Sequence, residues 1–284
     1  MDPVSASRRP GGELGRYVER LWYQRGTGAE PRETIAPTGS VVGALVLGDP
    51  LLLTPHTSRP PTPAARLRGE QRPFRAASSF LLGPHDRPVE AVATGETHVL
   101  GLVTTPVGCA AAVHVPPGLI RGRVVNLLAA WSGAAAVRRQ IEGGEEHPER
   151  MLDALEEALA ASLAAPGHGV ARCARAVALL DAAPTTPVHL VAREVGISPG
   201  HLDREFARIV GLPPATYAGL VRVRRLLERV DEIGTPAWDD HAATLGWSDA
   251  ARLERDVVRS TGRTPAEHAA GPAGRAGPAG TGTG

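Results

Sequence analysis

Lysine is missing from this chain: all 31 residues of the Lys and Arg class are arginines. Set beside 33 glycines and 26 prolines, that absence reads as a coding bias rather than a functional choice. Cysteine is nearly missing too. Cys109 and Cys173 lie far apart, which excludes a disulfide framework and a metal-spaced pair and leaves two buried free thiols. No apolar run approaches the ~18 residues of a membrane-crossing helix. The start, Met1-Asp2-Pro3, carries an acid where a secretory signal is basic, and no apolar stretch follows it. The formal net charge is only +1, so composition alone points to neither nucleic acid, membrane nor acidic ligands. There is no phosphate-cradling glycine loop, dinucleotide fingerprint or zinc spacing. The expectation is a cytoplasmic protein with no cofactor, no metal site and no membrane partner.

What the chain does have is a repeat. Leu202-Asp203-Arg204-Glu205-Phe206-Ala207-Arg208 returns as Leu253-Glu254-Arg255-Asp256-Val257-Val258-Arg259. Gly211-Leu212-Pro213-Pro214-Ala215 returns as Gly262-Arg263-Thr264-Pro265-Ala266, and Ala192 and Gly196 pair with Ala242 and Gly246. Two copies are too few for a solenoid, so 187–268 is a duplicated small motif.

The rest of the chain falls into two textures. Residues 1–12 read as disordered. Residues 17–23, 41–47, 79–82 and 98–103 read as strands rich in aliphatic, β-branched and aromatic residues, and Thr34 to Gly39 as a turn. Residues 55–73 are a Pro/Arg/Thr-rich loop without periodicity. After Gly108 the pattern becomes helical. Cys109 to Val113 is a short helix; Met151, Leu152, Leu155, Leu159 and Leu163 mark a second; Val170, Cys173, Ala174, Val177 and Leu180 mark a third. These last two serve as a linker, a dimer contact or plain packing. Gly167-His168-Gly169 separates them.

Each repeat copy reads as helix, corner, helix. In the first, 188–194 is a helix closed by Gly196, Ile197 plugs the corner, Ser198 caps the next helix, and Pro199 sits at its first position. On a helical wheel Leu202, Phe206, Ile209 and Val210 face inward, while Gly200, His201, Arg204, Ala207 and Arg208 face out. The second copy takes Trp238 and 242–245 as first helix, Gly246-Trp247 as corner and Ser248 or Asp249 as cap. Leu253 and Val257 then face inward, with Arg252, Arg255 and Arg259 outward. One extra residue separates Gly246 from Leu253. A single helix over 215–230 joins the copies. This is a helix-turn-helix, used twice, whose second helix can place arginines against guanine edges or phosphates in a major groove.

These residues resemble the DNA-binding domain of AraC-type transcription regulators. The resemblance rests on Gly196-Ile197-Ser198-Pro199, His201-Leu202, Arg204 and Phe206; on Arg222-Val223-Arg224-Arg225-Leu226-Leu227; and on Gly246-Trp247-Ser248-Asp249, Leu253, Arg255, Gly262 and Thr264-Pro265. More weakly, Tyr17 to Tyr23, Leu82-Gly83-Pro84, Leu100-Gly101-Leu102 and Val124 to Leu127 resemble a β-rich domain of uncharacterised role found in some such regulators. The resemblance implies double-stranded DNA as partner, with RNA polymerase, a small-molecule effector and a second copy of the chain as further expected partners. The effector-binding residues and the sign of regulation stay open.

Two rivals have sequence features of their own. Gly196-Ile197-Ser198-Pro199-Gly200 matches a hydrolase nucleophile pattern with Ser198 as nucleophile, but that pattern needs a strand before the serine. A degenerate repeat that binds protein is the other, because acids and bases nearly balance over 187–268 and Asp203 would face phosphate. His56, His85, His98 and His114 are isolated and read as surface or satisfied core residues, and Asp86-Arg87 as a solvated turn ahead of the alternative, the lining of an effector pocket.

The expected organisation is α+β. A β-rich, barrel- or sandwich-like effector-binding or dimerisation domain spans 13–128, a helical linker 129–183, an all-α double helix-turn-helix domain 184–268 and a disordered tail 269–284. The expected function is sequence-specific DNA binding in transcription regulation, not catalysis. Arg204 and Arg255 lead the expected DNA contacts, followed by Ser198, His201, Arg208, Arg252, Arg259 and Arg224.

Overall fold

The computed structural model describes residues 4–26, 32–55, 73–142, 147–233, 242–244 and 246–269. Most of the loop read at 55–73, together with His56, Trp238, Leu245 and the tail beyond Ala269, lies outside them.

The N-terminal lobe is built from β1 (Val4–Arg8), β2 (Val18–Gly26), β3 (Arg32–Ile35), β4 (Val42–Val46), β5 (Leu51–Pro55), β6 (Phe74–Ala76), β7 (Ser79–Leu82), β8 (Val89–Ala93), β9 (Thr97–Thr104) and β10 (Val124–Val125). They form two antiparallel sheets, ordered β1-β2-β9-β4-β7-β10 and β3-β8-β5-β6. Alternation along the strands of the larger sheet explains its nearly unbroken apolar runs. Trp22, Val42, Ala44, Val46, Phe80, Leu82, Val99 and Val103 point at the smaller sheet, and their neighbours Leu21, Tyr23, Leu45, Leu81, Leu100 and Leu102 point the other way. Both faces are buried, so neither face reads as polar.

Short helices follow the sheets: α1 (Cys109–Val113), α2 (Pro117–Ile120), α3 (Leu127–Ala130) and α4 (Ser132–Ile141), then the longer α5 (Pro148–Ala161). Leu127, Trp131, Val137, Met151, Leu152, Leu155 and Leu159 cover the outer face of the larger sheet. Then come α6 (Val170–Ala182), α7 (Val188–Glu194), α8 (Pro199–Ile209), α9 (Pro214–Ile233), α10 (Ala250–Thr261) and α11 (Pro265–Ala269). Among the described residues no helix is long and apolar enough to cross a membrane.

Two expectations are corrected. Residues 4–8 are not disordered: they pair with β2 from Val4↔Arg25 to Arg8↔Leu21. Arg8 also reaches α5, its guanidinium meeting Asp153 at 2.6 Å, Glu156 at 2.8 Å and Glu149 at 3.3 Å. The segment read as a turn from Thr34 begins instead as the end of β3, and the chain turns at Gly39, where φ is +83°. The stretch 129–183 is also divided by its packing: α4 and α5 belong to the sheet's outer core, whereas α6 packs with α8 and α9.

One position shows how tightly the two sheets meet. Trp22 and Gly101 are cross-strand partners, and the indole lies across the glycine. A Cβ at Gly101 would stand 2.3 Å from Cε2 of that ring, and the next residue across the sheet is the small Ala44. We therefore expect Gly101→Ala to destabilise the chain by about 1–3 kcal/mol, the usual cost of overpacking. Urea denaturation followed by tryptophan fluorescence would measure it, and unchanged stability would refute this account of the inter-sheet packing.

Candidate nucleic-acid interface

The two repeat copies fold alike down to their corner hydrogen bonds. Gly196 N–H donates to the Arg193 carbonyl at 3.1 Å and Ile197 N–H to Ala192 at 3.0 Å. In the second copy Gly246 N–H donates to Ala243 at 3.1 Å and Trp247 N–H to Ala242 at 2.8 Å. Both corner glycines are left-handed, with φ of +76° and +82°, a conformation that glycine adopts without strain. Ser198 Oγ accepts from His201 N–H at 3.3 Å, and Asp249 Oδ1 from Arg252 N–H at 2.7 Å. Asp249 is thus the second cap. The extra residue of that corner is accommodated at Ser248, whose hydroxyl donates to Asp249. Leu202, Phe206 and Ile209 of α8, and Leu253 and Val257 of α10, are buried.

The copies are anchored differently. The core under α8 runs on into the N-terminal lobe: Tyr17, Val107 and Ala111 pack with Val177, Phe206, Ile209 and Tyr217. The core under α10 is small and separate, made of Val223 and Leu226 from α9 with Ala242, Trp247, Leu253 and Val257. Arg222 reinforces it by lying 5.2 Å over the Trp247 ring and donating to the Gly246 carbonyl at 2.9 Å.

A buried acid sets the position of α8. Glu205 sits in the apolar stripe of the helix with its side chain 5% exposed, and Arg172 of α6 meets it with a two-pronged contact of 2.8 and 3.3 Å. Burial pushes the Glu205 carboxyl up, but the Arg172 hydrogen bond and charge outweigh it, aided by His201 and Arg208, so the net shift is downward. Gly169 makes the room: a Cβ there would be 2.0 Å from Glu205 Oε1.

Arginine usage sorts the expected DNA contacts. Arg204 and Arg255 hold matching places in the copies; both are exposed, and among the described residues neither is hydrogen-bonded or ion-paired. Arg252 likewise leaves its guanidinium unbonded. His201 is exposed, its Nε2 3.9 Å from Glu205 Oε1, and Ser198 is exposed as a helix cap. Arg208 and Arg259, also matched, are both tied. Arg208 donates to the His168 carbonyl at 2.9 Å, and Arg259 pairs with Asp86 of the lobe. Arg224, expected at phosphate, forms an ion pair with Asp181 at 3.1 Å. Asp181 also accepts from Tyr217 at 2.9 Å, while Arg225 donates to the Asp181 and Ala182 carbonyls. Asp86, read as part of a solvated turn, lies in a partly exposed bend and is ion-paired with Arg259. Helix α2 covers part of the outer side of α8, where Gly118 sits against the Ala207 carbonyl and the Arg208 backbone. The open part of α8 is its N-terminal half.

The rival signals find no such support. A helix, α7, precedes Ser198 where a nucleophile elbow needs a strand. His85 is buried with Nδ1 3.0 Å from the Gly83 carbonyl, His98 lies 3.3 Å from Tyr23 Oη, and His114 lies 2.6 Å from the Ser162 carbonyl. Among the described residues no group of three His, Cys, Asp or Glu side chains is placed to hold a metal ion.

The family model for a helix-turn-helix domain matches residues 191–270. The C-terminal region is a helix-turn-helix domain. No curated protein matches the chain. Similar solved structures include ToxT from Vibrio cholerae O395 bound to (E)-4-(8-methylnaphthalen-1-yl)but-3-enoic acid, at 8% identity and a TM-score of 0.46, covering 94% of this chain and 97% of that one. ToxT of strain SCE256 with bound unsaturated fatty acid gives 8% and 0.44, covering 84% and 93%. The AraC-like transcriptional activator CuxR gives 15% and 0.30, covering 80% and 87%.

The lowered carboxyl of Glu205 fixes a pH dependence. A group whose pKa is lower folded than unfolded stabilises the fold above its ordinary value, 4.5, and loses that contribution as pH falls through the folded value. Glu205→Gln is expected to cost roughly 1–3 kcal/mol at pH 7, the range for a hydrogen bond to a charged group. The gap to the parent should narrow below pH 4.5. Urea titrations of both chains across that range test this, and a gap independent of pH would refute it.

Proposed function

We propose that the chain is a sequence-specific DNA-binding transcription regulator that presents two readers, α8 and α10, to successive major grooves. The observation that carries this reading is the matched, unbonded pair Arg204 and Arg255, each exposed on the second helix of a helix-turn-helix unit with the same corner hydrogen bonds. The open N-terminal half of α8 supports it, because reading helices contact bases chiefly through their first residues. So does the spacer. Helix α9 has 20 residues, about 30 Å at 1.5 Å per residue, close to the ~34 Å groove repeat. In this reading Arg204, Arg255 and His201 approach base edges, and Arg252 and Ser198 approach phosphates. The lobe is the place for a small-molecule effector, since its residues continue the core beneath α8.

Arg204→Ala and Arg255→Ala should each weaken binding to a selected site by about 1–3 kcal/mol and relax the sequence preference at one position. Arg252→Ala should weaken all duplexes alike and lower the salt slope by about one. Selection of bound genomic fragments with the purified chain supplies the site, and fluorescence anisotropy over a salt series measures the variants. Full-strength binding by both Arg204→Ala and Arg255→Ala would remove α8 and α10 as readers.

A further inference from the structure

The duplication makes Arg208 and Arg259 a controlled comparison. They end matching helices, and each is held by something outside its own copy. Arg208 is held by a neutral carbonyl, that of His168 in the loop before α6. Arg259 is held by a full negative charge, Asp86, from the other lobe. The second reader needs such a tie more than the first. Among the described residues its core contains none from the lobe, and its corner touches the rest of the chain at Thr185, whose Cγ2 would be 2.4 Å from a Cβ at Gly246.

The tie is also built to open. Arg259 is 50% exposed and Asp86 24% exposed, a setting in which ion pairs contribute little to stability. Asp86 has other cations at hand, since Arg87 and Arg121 also lower its pKa against the opposing effect of burial. Losing Arg259 therefore does not strand the carboxylate. A DNA phosphate offers Arg259 what Asp86 offers, an anionic oxygen at the surface.

We propose that Asp86 stands in for a DNA phosphate: it latches Arg259, and with it the second reader, to the β lobe until a duplex takes its place. The proposal rests on the DNA-binding reading and adds a regulatory contact to it. With the latch closed, Arg259 is occupied and a carboxylate lies beside the second reader, which repels phosphate. Any event that displaces the 84–87 segment frees the reader from the lobe side.

The test uses the full chain with Asp86→Asn, carrying dyes at Ala77→Cys and Glu254→Cys; both positions are exposed, and the native cysteines are buried. Without DNA, the variant should show a longer or broader dye separation than the parent. It should bind the selected duplex roughly 2- to 5-fold more tightly, the range one surface ion pair supplies. Arg259→Gln should open the dye separation as well, but without tighter binding. An unchanged separation in both variants overturns the latch, as does an open separation with unchanged or weaker duplex binding by Asp86→Asn. If the parent binds no duplex, the DNA reading fails and the phosphate role with it, while the dye separation still decides whether the latch exists.

Discussion

A carboxylate placed in an apolar seam must be paired or it disrupts the seam. Glu205 imposes this requirement on the first reader. Its partner, Arg172, lies 33 residues upstream on α6, so satisfying the charge joins α6 to α8 at one orientation. The rest of the first reader follows from that join. Gly169 must lack a side chain, the loop before α6 comes under α8, and the His168 carbonyl falls within reach of Arg208. On the opposite end of α6, Asp181 collects Tyr217 and Arg224 from α9. One helix thereby positions the reader at its start and the spacer at its end.

The balance of charge in the repeat region has its explanation in these contacts. Arg222, Arg224, Arg225, Arg208 and Arg259 are all engaged within the chain, bonded to carbonyls, carboxylates or an indole face. A basic footprint counted from sequence includes them; a footprint counted from free guanidinium groups on the readers reduces to Arg204, Arg252 and Arg255. Planar guanidinium groups with five donors suit such internal bracing, and a chain without lysine uses them for it throughout.

Much of the repeat region was legible because its signals are local. A corner glycine, a capping Ser198, a proline after it and an apolar stripe lie within a dozen residues of one another. The long strands and α5, α6 and α9 were legible for the same reason. Strands β5, β6 and β8 were missed because each is short and lies among turn residues, and β1 because its residues are polar and its order comes from pairing with β2. The bonded states of Arg208, Arg224 and Arg259 were hidden for a different reason: their partners lie 40, 43 and 173 residues away. Glu205 was half visible. Its spacing from Leu202 and Ile209 places an acid on the buried face, which announces a partner without naming it.

The shared core beneath α8 bears on modularity. DNA-reading units that carry their own closed core can be cut from one protein and joined to another. Here the boundary drawn by sequence at residue 184 passes through packed residues, since Val170, Cys173, Ala176, Val177 and Leu180, with Tyr17, Val107 and Ala111, lie in the same cluster as Phe206. A fragment beginning there would leave one side of the first unit open to water while keeping the second unit's core whole. The duplicated halves, alike in sequence, therefore differ in portability: the second is a self-contained piece, and the first is a graft grown into its support.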